Sequence, residues 1–483
     1  MSSLKEDTIK GVKWSAIERF SVQGISFLVG LVLARMLTPS DFGVIGMLSI
    51  FMSVSQTFID SGFSNALIRK LDRTQVDCST AFYFNIVVGI VCFLILYIGA
   101  PLIASFYNMP VLVDVTRVLA ITLFINSLTV VQVALLTIKI DFETQAKINL
   151  IGAITSGIVG ISMAYCGYGV WSLVYQQVFR AALSALLFWI MAKWRPMWVF
   201  SWASFKDLFS FGSKLLLSGL LHTFYLNFTN LVIGKFYSSN DLGYYERGRQ
   251  FGIIPTEMSV SIIQRVVFPI LSTIQNDDER LISVYRKYIK IISIPIFFMM
   301  MLLVVLAKPV IVLLLTDRWY ESIIYLQLFC FSQMFNHVTR INLNLLEVKG
   351  RSDLYLRLEV VKKTISFCML LLAAPFGVIA ICVSQVLYSQ IAIYLNTYYT
   401  KKLFGLSYWM QVKDFSKYFI TSLLACIPVY ILVLLNLNNW VCILIGPIIA
   451  SLIYFMFLLR NDENYIELKE MAFKAINKRK ENV

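Results

Sequence analysis

The sequence predicts an all-α integral membrane protein with about 14 transmembrane helices. Of its 483 residues, 58% are hydrophobic and 14% are charged, and the mean hydropathy is +0.73. Apolar stretches of roughly 20 residues, enough to cross a ~30 Å hydrocarbon core as helix, recur along the whole chain. No polar segment is long enough to fold as a separate soluble domain, so we expect each helix to face lipid or another helix.

Fourteen apolar stretches define the expected helices, with ends placed to within a few residues. They are 12–36, 42–66, 79–106, 112–137, 146–167, 170–192, 208–236, 241–274, 286–315, 320–346, 355–374, 377–400, 415–437 and 439–459. Residues 1–14 contain no short apolar core followed by a small-residue cleavage site. We therefore expect no removable signal peptide, and the first helix is retained.

Lysine and arginine are distributed unequally between alternate connections. One set of connections, together with the C-terminal tail, carries 28 of the 42 basic residues. The other set carries only Arg35, Lys235, Lys308 and Arg318. Because cytoplasmic loops collect Lys and Arg, we expect both termini to be cytoplasmic. The net charge of +14 then reflects membrane topology, and binding to nucleic acid is not needed to explain it.

The sequence shows no pattern typical of a catalytic or metal site. The eight cysteines include no CxxC pair and lie in or beside apolar stretches, which is typical of small core residues. The two histidines, His222 and His337, have no partner at metal-ligand spacing. Connections on the outer side have about a dozen residues or fewer, too few to hold the active site of a glycan-assembling enzyme. We expect a protein that moves a substrate, with no catalytic residues, metal or cofactor.

A short polar corner occurs twice in this apolar chain. Residues 34–43 read ARMLTPSDFG and residues 234–243 read GKFYSSNDLG. In the first corner, Thr38 is positioned as a helix N-cap and Asp41 follows it by three residues, as in a capping box. The second corner offers the same cap and carboxylate, and both corners are expected between membrane helices on the outer side.

Two further matches extend this similarity into a repeat. GVWSLVYQQV at 169–178 aligns with GVIAICVSQV at 377–386, and LLTIK at 135–139 aligns with LLEVK at 345–349. Six helices separate the matched points, so both halves are inserted in the same orientation. Parallel repeats of this kind are a transporter architecture with the substrate site between the halves.

The repeat predicts four parts of the chain. They are an N-terminal lobe at 1–200, a C-terminal lobe at 201–405, a terminal helix pair at 406–460 and a cytoplasmic tail at 461–483. Within the tail, residues 464–480 place apolar side chains on one face and lysines opposite, which predicts an amphipathic surface helix.

Polar residues recur at one-turn spacing within five of the expected helices. The first and second helices carry Ser15, Arg19, Gln23 and Ser26, and Ser49, Ser53, Gln56, Asp60 and Ser64. The seventh, eighth and tenth carry Ser210, Lys214, Ser218, His222, Tyr225 and Thr229; Glu246, Arg249, Glu257, Ser261 and Gln264; and Gln333, His337, Arg340, Asn344 and Glu347. A charge at mid-membrane costs at least ~2.5 to 3.5 kcal/mol, so these faces should line a wet cavity or pair across helices. Pairing between side chains of the helices, such as Glu246 with Arg249 at one turn, is the structural alternative.

Four motifs resemble those of a known family. WSAIERF near the start, LARMLTPSDFG after the first helix, GFSNALIRK after the second and VVFPILS ending the eighth are similar to the polysaccharide transporter branch of the MOP superfamily, the Wzx-type flippases. The resemblance extends from about residue 9 to 460. It implies two six-helix lobes around a central cavity, with two helices appended, and alternating access by rocking of the lobes.

The resemblance also implies a substrate, a location and partners. The substrate class is undecaprenyl-pyrophosphate-linked oligosaccharide, moved from the cytoplasmic to the periplasmic leaflet of the bacterial inner membrane. Partners would then be this lipid-linked sugar, the bilayer, and a polysaccharide polymerase with its chain-length assembly; nucleic acid is not expected.

A pyrophosphate in a low-dielectric site needs compensating cations, and arginine offers planar, multidentate donors. Candidates for substrate binding are Arg19, Lys214, Arg249, Arg340, His337 and Tyr225, the last as a surface on which a sugar could stack. Candidates for ion coupling are Glu18, Asp60 and Glu257, because a desolvated carboxylate can titrate near neutral pH or bind a cation. The alternative is that Glu18 and Glu257 only neutralise neighbouring arginines and that Asp60 lies in water near the cytoplasmic end of its helix.

Two other functions remain open from the sequence. An ion-coupled drug or metabolite antiporter of the related MATE branch normally has twelve helices, and the extra terminal pair and the cationic faces argue against it. A membrane enzyme of glycan assembly is disfavoured by the short outer connections.

Overall fold

The computed structural model describes residues 2–60, 62–458 and 460–470. Every element of regular structure in these ranges is a helix, which confirms the predicted all-α class. Residues 463–470 form the start of the predicted tail helix, and the rest of that helix, 471–480, lies outside the described residues.

Chain contacts divide the protein into two units, Met1–Gly243 and Tyr244–Val483. The helices that begin in the first unit are α1 (Ser2–Met36), α2 (Pro39–Asp60), α3 (Phe63–Arg69), α4 (Gln75–Tyr107), α5 (Leu112–Ser127), α6 (Val130–Ile138), α7 (Phe142–Tyr165), α8 (Val170–Met191), α9 (Trp202–Phe236) and α10 (Ser239–Ile262). The predicted lobe boundaries at residues 200, 405 and 460 stay predictions.

The second unit continues from α10 through a π-helical stretch, Ile263–Val267. Its helices are α11 (Phe268–Thr273), α12 (Asp278–Val305), α13 (Ala307–Leu315), α14 (Ser322–Gln333), α15 (Asn336–Val348), α16 (Ser352–Ala373), α17 (Val378–Phe404), α18 (Tyr408–Leu434) and α19 (Asn439–Ser451), the last followed by a π-helical stretch, Leu452–Leu458.

Eleven helical stretches of the described chain are long and apolar enough to cross a membrane, and α5 with α6 adds a twelfth if this bent pair is one span. The chain is thus a multi-pass membrane protein, but the predicted count of 14 is not confirmed. The other two expected spans, 320–346 and 355–374, are helical but do not reach the same apolar length. The first is interrupted between α14 and α15 at residues 334–335, and α16 carries five charged residues in its first twelve positions.

Each half of the chain contains a broken helix. In the first unit α5 and α6 are bent by 41° at residues 128–129. In the second unit α14 and α15 are separated at residues 334–335. Each break comes shortly before the matching segments LLTIK and LLEVK, so the structure supports the repeat predicted from the sequence.

The first of the two terminal helices, α18, packs in the second unit through buried polar contacts. Arg286 of α12 donates two hydrogen bonds to the Asp414 carboxylate of α18, at 2.7 and 2.8 Å. Asn342 of α15 accepts a hydrogen bond from Tyr285 at 2.8 Å and donates one to Gln411 of α18 at 2.9 Å. Because buried polar groups are costly without partners, these contacts fix α18 against α12 and α15.

A substitution of Asp414 tests whether these contacts hold α18 against α12 and α15. Its side chain is 3% exposed, and its second cation, Lys290, lies 3.5 Å away. We expect Asp414→Ala to lower the free energy of unfolding by about 2 kcal/mol, because two partly buried cations lose their partner. The measurement is the thermal midpoint of the purified protein in detergent. Asp353→Ala removes an exposed carboxylate and should leave that midpoint unchanged; an equal loss in both variants would contradict the attachment.

Candidate substrate-transport site

Both polar corners form the capping arrangement that the sequence predicts. In the first, the backbone N–H and the hydroxyl of Thr38 donate to Asp41 Oδ2 at 2.8 and 2.7 Å. In the second, the backbone N–H and the hydroxyl of Ser238 donate to Asp241 Oδ2 at 3.1 and 2.6 Å. The same atoms make the same bonds, so the corners are structural equivalents.

The two corners also contact each other within the first unit. The Ser40 and Ser239 hydroxyl oxygens are 2.7 Å apart. A Cβ added to Gly43 would lie 1.7 Å from the Ser239 carbonyl oxygen, and one added to Gly243 would lie 1.9 Å from the Pro39 carbonyl oxygen. Only glycine permits this approach of one backbone to another. The shared glycines are visible in the sequence, but the sequence does not show that each faces the other corner.

The polar face predicted for the second helix makes contacts to α9. Asn230 donates a hydrogen bond to the Ser49 hydroxyl at 3.2 Å, and the Thr57 and Thr223 hydroxyl oxygens are 3.0 Å apart. Cross-helix pairing therefore accounts for part of this face.

Gln56, Asp60 and Ser64 of that face line a cavity of about 500 Å³ in the first unit. Gln56, Asp60, Asn126 and Thr129 contribute polar atoms to its wall, and Leu215 of α9 contributes apolar surface. We call this space the amide cavity. Among the predicted ion-coupling acids, Asp60 lies here.

Two interruptions of regular helix border the amide cavity. One is the bend between α5 and α6, where Thr129 donates a hydrogen bond to the Asn126 carbonyl at 2.8 Å. The other is Gly62, whose backbone has a φ of +70°. A Cβ added to Gly62 would lie 2.6 Å from the Gly212 carbonyl oxygen. Irregular backbone at membrane depth is tolerated where it lines a cavity or is buried in protein. Asn126 and Thr129 belong to none of the polar faces found from helical periodicity, although polar residues within an apolar stretch were a signal for them.

The predicted substrate-binding cations differ in their surroundings. The Arg19 and Lys214 side chains are exposed, and that of Arg340 is half-buried. Arg249 forms an ion pair with Glu246 at 3.3 Å, with its side chain 32% exposed. The structure therefore contains the intrahelical pair weighed as the alternative, while leaving part of this guanidinium open to a ligand.

The other predicted residues occupy both exposed and buried positions. Tyr225 is half-buried, and Glu257 is exposed. Glu18 accepts a hydrogen bond from the Asn149 amide at 2.6 Å. His337 is fully buried, with Nε2 at 2.8 Å from the Ser293 hydroxyl. Its ring centre lies 5.2 Å from that of Phe297, so the contacts of His337 are those of a packed core residue, and its role in binding stays a prediction.

The comparison with protein families identifies the chain. The family described as polysaccharide biosynthesis protein matches residues 32–324, more than half of the sequence. The chain belongs to this family. As a polysaccharide biosynthesis protein it carries, within the matched range, both polar corners, the amide cavity and the first helix break.

Two curated relatives align with this protein over most of its length and most of their own. The teichuronic acid biosynthesis protein TuaB of Bacillus subtilis is 28% identical over 357 residues, 73% of this chain and 74% of that protein. The lipopolysaccharide biosynthesis protein WzxC of Escherichia coli is 25% identical over 368 residues, 74% of each chain.

Solved structures show the fold. The lipid II flippase MurJ matches 96% of this chain and 99% of its own, with a TM-score of 0.74 at 13% identity. An inward-facing multidrug MATE transporter of the MOP superfamily matches 82% of this chain and 99% of its own, with a TM-score of 0.59 at 16% identity. The family and this transporter fold confirm the resemblance found in the sequence, and they favour polysaccharide transport over the MATE and enzyme alternatives.

Proposed function

We propose that this protein is a flippase that moves undecaprenyl-pyrophosphate-linked oligosaccharide from the cytoplasmic to the periplasmic leaflet of the bacterial inner membrane. The observation that carries the proposal is a polysaccharide biosynthesis family match on a chain whose fold, over 96% of its length, is that of a transporter. Relatives named for teichuronic acid and lipopolysaccharide support a glycan as the cargo.

The basic side chains on polar helix faces supply the chemistry for the pyrophosphate. Arg19, Lys214, Arg249 and Arg340 are the proposed contacts, and Tyr225 is the proposed stacking surface for a sugar. A guanidinium binds phosphate oxygens with several parallel hydrogen bonds and stays charged in a low-dielectric site. His337 could join this set only if its packing against Phe297 opened.

Alternating access requires a contact that forms on one side of the membrane while the other side is open. The glycine contact between the two corners supports such a role on the periplasmic side. The two backbones approach too closely at Gly43 and Gly243 to tolerate a side chain. The contact between the corners is therefore discrete, and it is either made or broken.

The direct test of the function uses proteoliposomes. Purified protein is reconstituted with lipid-linked oligosaccharide isolated from a strain that lacks the transporter, and the glycan exposed on the outer leaflet is measured by lectin binding. Exposure that depends on the protein supports the proposal. Export of ethidium with no movement of the lipid-linked glycan would instead support a MATE-type antiporter.

Both termini are proposed to be cytoplasmic, and the last turn of α17, which holds Lys402, tests this. In a cysteine-free background, a Lys402→Cys variant should resist impermeant thiol reagents in intact cells and react once the membrane is permeabilised, because the basic connections face the cytoplasm. Arg318→Cys, at an exposed position in a connection expected outside, is the positive control. Labelling of Lys402→Cys in intact cells would reverse the orientation.

Ion coupling is proposed for Glu18 and Glu257, and for Asp60 it stays a prediction from the sequence. We expect Glu18→Gln and Glu257→Gln to weaken the response of transport to an imposed proton or sodium gradient while substrate binding persists, because each removes an ion-binding charge. The measurement is initial transport rate in proteoliposomes with and without the gradient. Unchanged gradient dependence in both variants would make these two acids counter-ions only.

The proposed assembly partners are a polysaccharide polymerase and its chain-length protein.

A further inference from the structure

We propose that the amide cavity binds the sugar part of the lipid-linked substrate through its hydroxyl groups, while the pyrophosphate is held elsewhere. This inference rests on the proposed function, and it assigns the sugar and the pyrophosphate of the substrate to two different sets of residues. It concerns a space whose described lining residues all belong to the first unit.

The chemistry of the cavity wall suits a polyhydroxylated ligand. Its polar atoms come from the amides of Gln56, Asn65 and Asn126, from side-chain hydroxyls, and from the Asp60 carboxylate. None of the described residues that line it is a lysine or an arginine. A pyrophosphate there would meet a carboxylate and no cation, whereas a sugar hydroxyl can both donate to and accept from these groups.

The cavity is much larger than a site for a single ion. Its volume of about 500 Å³ lies within the range of roughly 300 to 1,000 Å³ found for small-molecule pockets. One water occupies only about 30 Å³. Apolar side chains of Val130, Val133 and Leu215 form the remaining wall, and such surface packs against the C–H face of a sugar ring.

A hydrogen-bond chain holds the polar groups in one orientation. Asn126 Nδ2 donates to Gln56 Oε1 at 2.9 Å, and Gln56 Nε2 donates to Asp60 Oδ1 at 3.0 Å. The chain ends on a carboxylate, which can accept further hydrogen bonds but can donate none. A ligand rich in hydroxyl donors completes this chain, and the fixed amides reduce the entropy lost when it binds.

The backbone around the cavity is also arranged for a ligand. The bend between α5 and α6 and the left-handed Gly62 both interrupt regular helix at its wall. Broken helices at substrate sites are a feature of transporters, because a discontinuity presents polar backbone and side-chain groups to a wet space. Gly219 lets α9 come close, since a Cβ there would lie 3.2 Å from Thr57 Cγ2.

Ion coupling, the role predicted for Asp60 from the sequence, is the competing role for this cavity. A cation site would need several oxygen ligands around one point. Asp60 is the one carboxylate among the described residues of the wall, and it accepts a hydrogen bond from an amide N–H, which orients a donor toward the place a cation would occupy. The geometry therefore favours the sugar.

The experiment measures lipid binding to the full-length protein in nanodiscs. The two probes are undecaprenyl pyrophosphate without sugar and the lipid-linked oligosaccharide isolated from a strain that lacks the transporter. The variants are Asp60→Asn, which keeps the side-chain shape, and Asn126→Leu. Arg249→Ala tests the pyrophosphate contacts, and Asp353→Asn makes the same chemical change as Asp60→Asn at an exposed site.

We expect the wild-type protein to bind the sugar-bearing lipid more tightly than the bare one. Asp60→Asn and Asn126→Leu should each reduce that preference about tenfold, the effect of losing one or two hydrogen bonds, without changing affinity for the bare lipid. Unchanged affinity for the bare lipid also shows that the variants are folded. Arg249→Ala should weaken both lipids equally, and Asp353→Asn should weaken neither.

Four results would overturn the inference. Equal binding of both lipids by the wild-type protein, or an unchanged preference in both cavity variants, removes the sugar site and leaves the flippase function standing. If Asp60→Asn keeps the preference but abolishes a dependence of binding on sodium or pH, the cavity is an ion site. Binding of neither lipid by the wild-type protein overturns the proposed function and the sugar site together.

Discussion

A protein carrying Ser40→Cys and Ser239→Cys is expected to form a disulfide between the two corners and to stop exporting polysaccharide until a reductant is added. The two hydroxyl oxygens are 2.7 Å apart, so the replacing sulfur atoms would be within bonding reach. The corners are proposed to face the periplasm, where disulfides form and persist. A covalent bond there would hold closed the contact that must open to release substrate.

The cross-link is detected on a non-reducing gel after cleavage at a protease site inserted in the connection between α8 and α9, because only a disulfide then holds the fragments together. The native cysteines are replaced first, and each single-cysteine variant serves as a control that should export normally. Normal export by fully cross-linked protein would show that the corners do not need to separate. Failure to cross-link would contradict the contact itself.

The second large effect is expected from removing the proposed pyrophosphate contacts. Arg19→Ala and Arg249→Ala should each abolish export of the lipid-linked sugar while the protein remains at its normal level in the membrane. A buried pyrophosphate without its cations is strongly unfavourable, whereas Arg249 is partly exposed and its pair with Glu246 lies within a single helix, which contributes little to stability. Surface polysaccharide and the amount of protein in isolated membranes are the two measurements.

Arg351→Ala is the matched control, since this arginine lies in an exposed connection and pairs with Asp353. Its export should equal that of the wild type. If Arg19→Ala and Arg249→Ala instead disappear from the membrane, the two arginines hold the structure together and the pairing alternative is correct. Export retained at the normal rate would show that the pyrophosphate is bound elsewhere.

Much of the fold could be predicted because a membrane restricts the choices. An apolar stretch long enough to cross the bilayer has to be helical, so the positions of most helices followed from hydropathy alone. The count of 14 was less secure where charged residues interrupt the apolar pattern, as in α16, or where α14 and α15 break. The capping boxes were predictable atom by atom, since all their bonds join residues three positions apart.

The candidate site was predicted only in part. Helical periodicity placed Gln56 and Asp60 on one face, which the structure confirms by their hydrogen bond. It gave no partner for that face, so Asn126 was missed although it completes the chain of amides. It also placed His337 on a polar face, whereas the side chain is fully buried with its ring against that of Phe297.

The sequence by itself determined the helical class, the apolar spans, the duplicated corner and the sets of residues that share a helix face. These depend on composition and on contacts between residues close in the chain, which periodicity and spacing record. Only the tertiary structure decided that Gly43 and Gly243 face the opposite corners, and that a helix break and a left-handed glycine border a polar cavity at Asp60. Such contacts join residues far apart in the chain, and they depend on which face of each helix packs against which neighbour. Because an apolar helix can pack favourably in many ways against lipid or protein, that choice is made by the close fit of the whole assembly of helices.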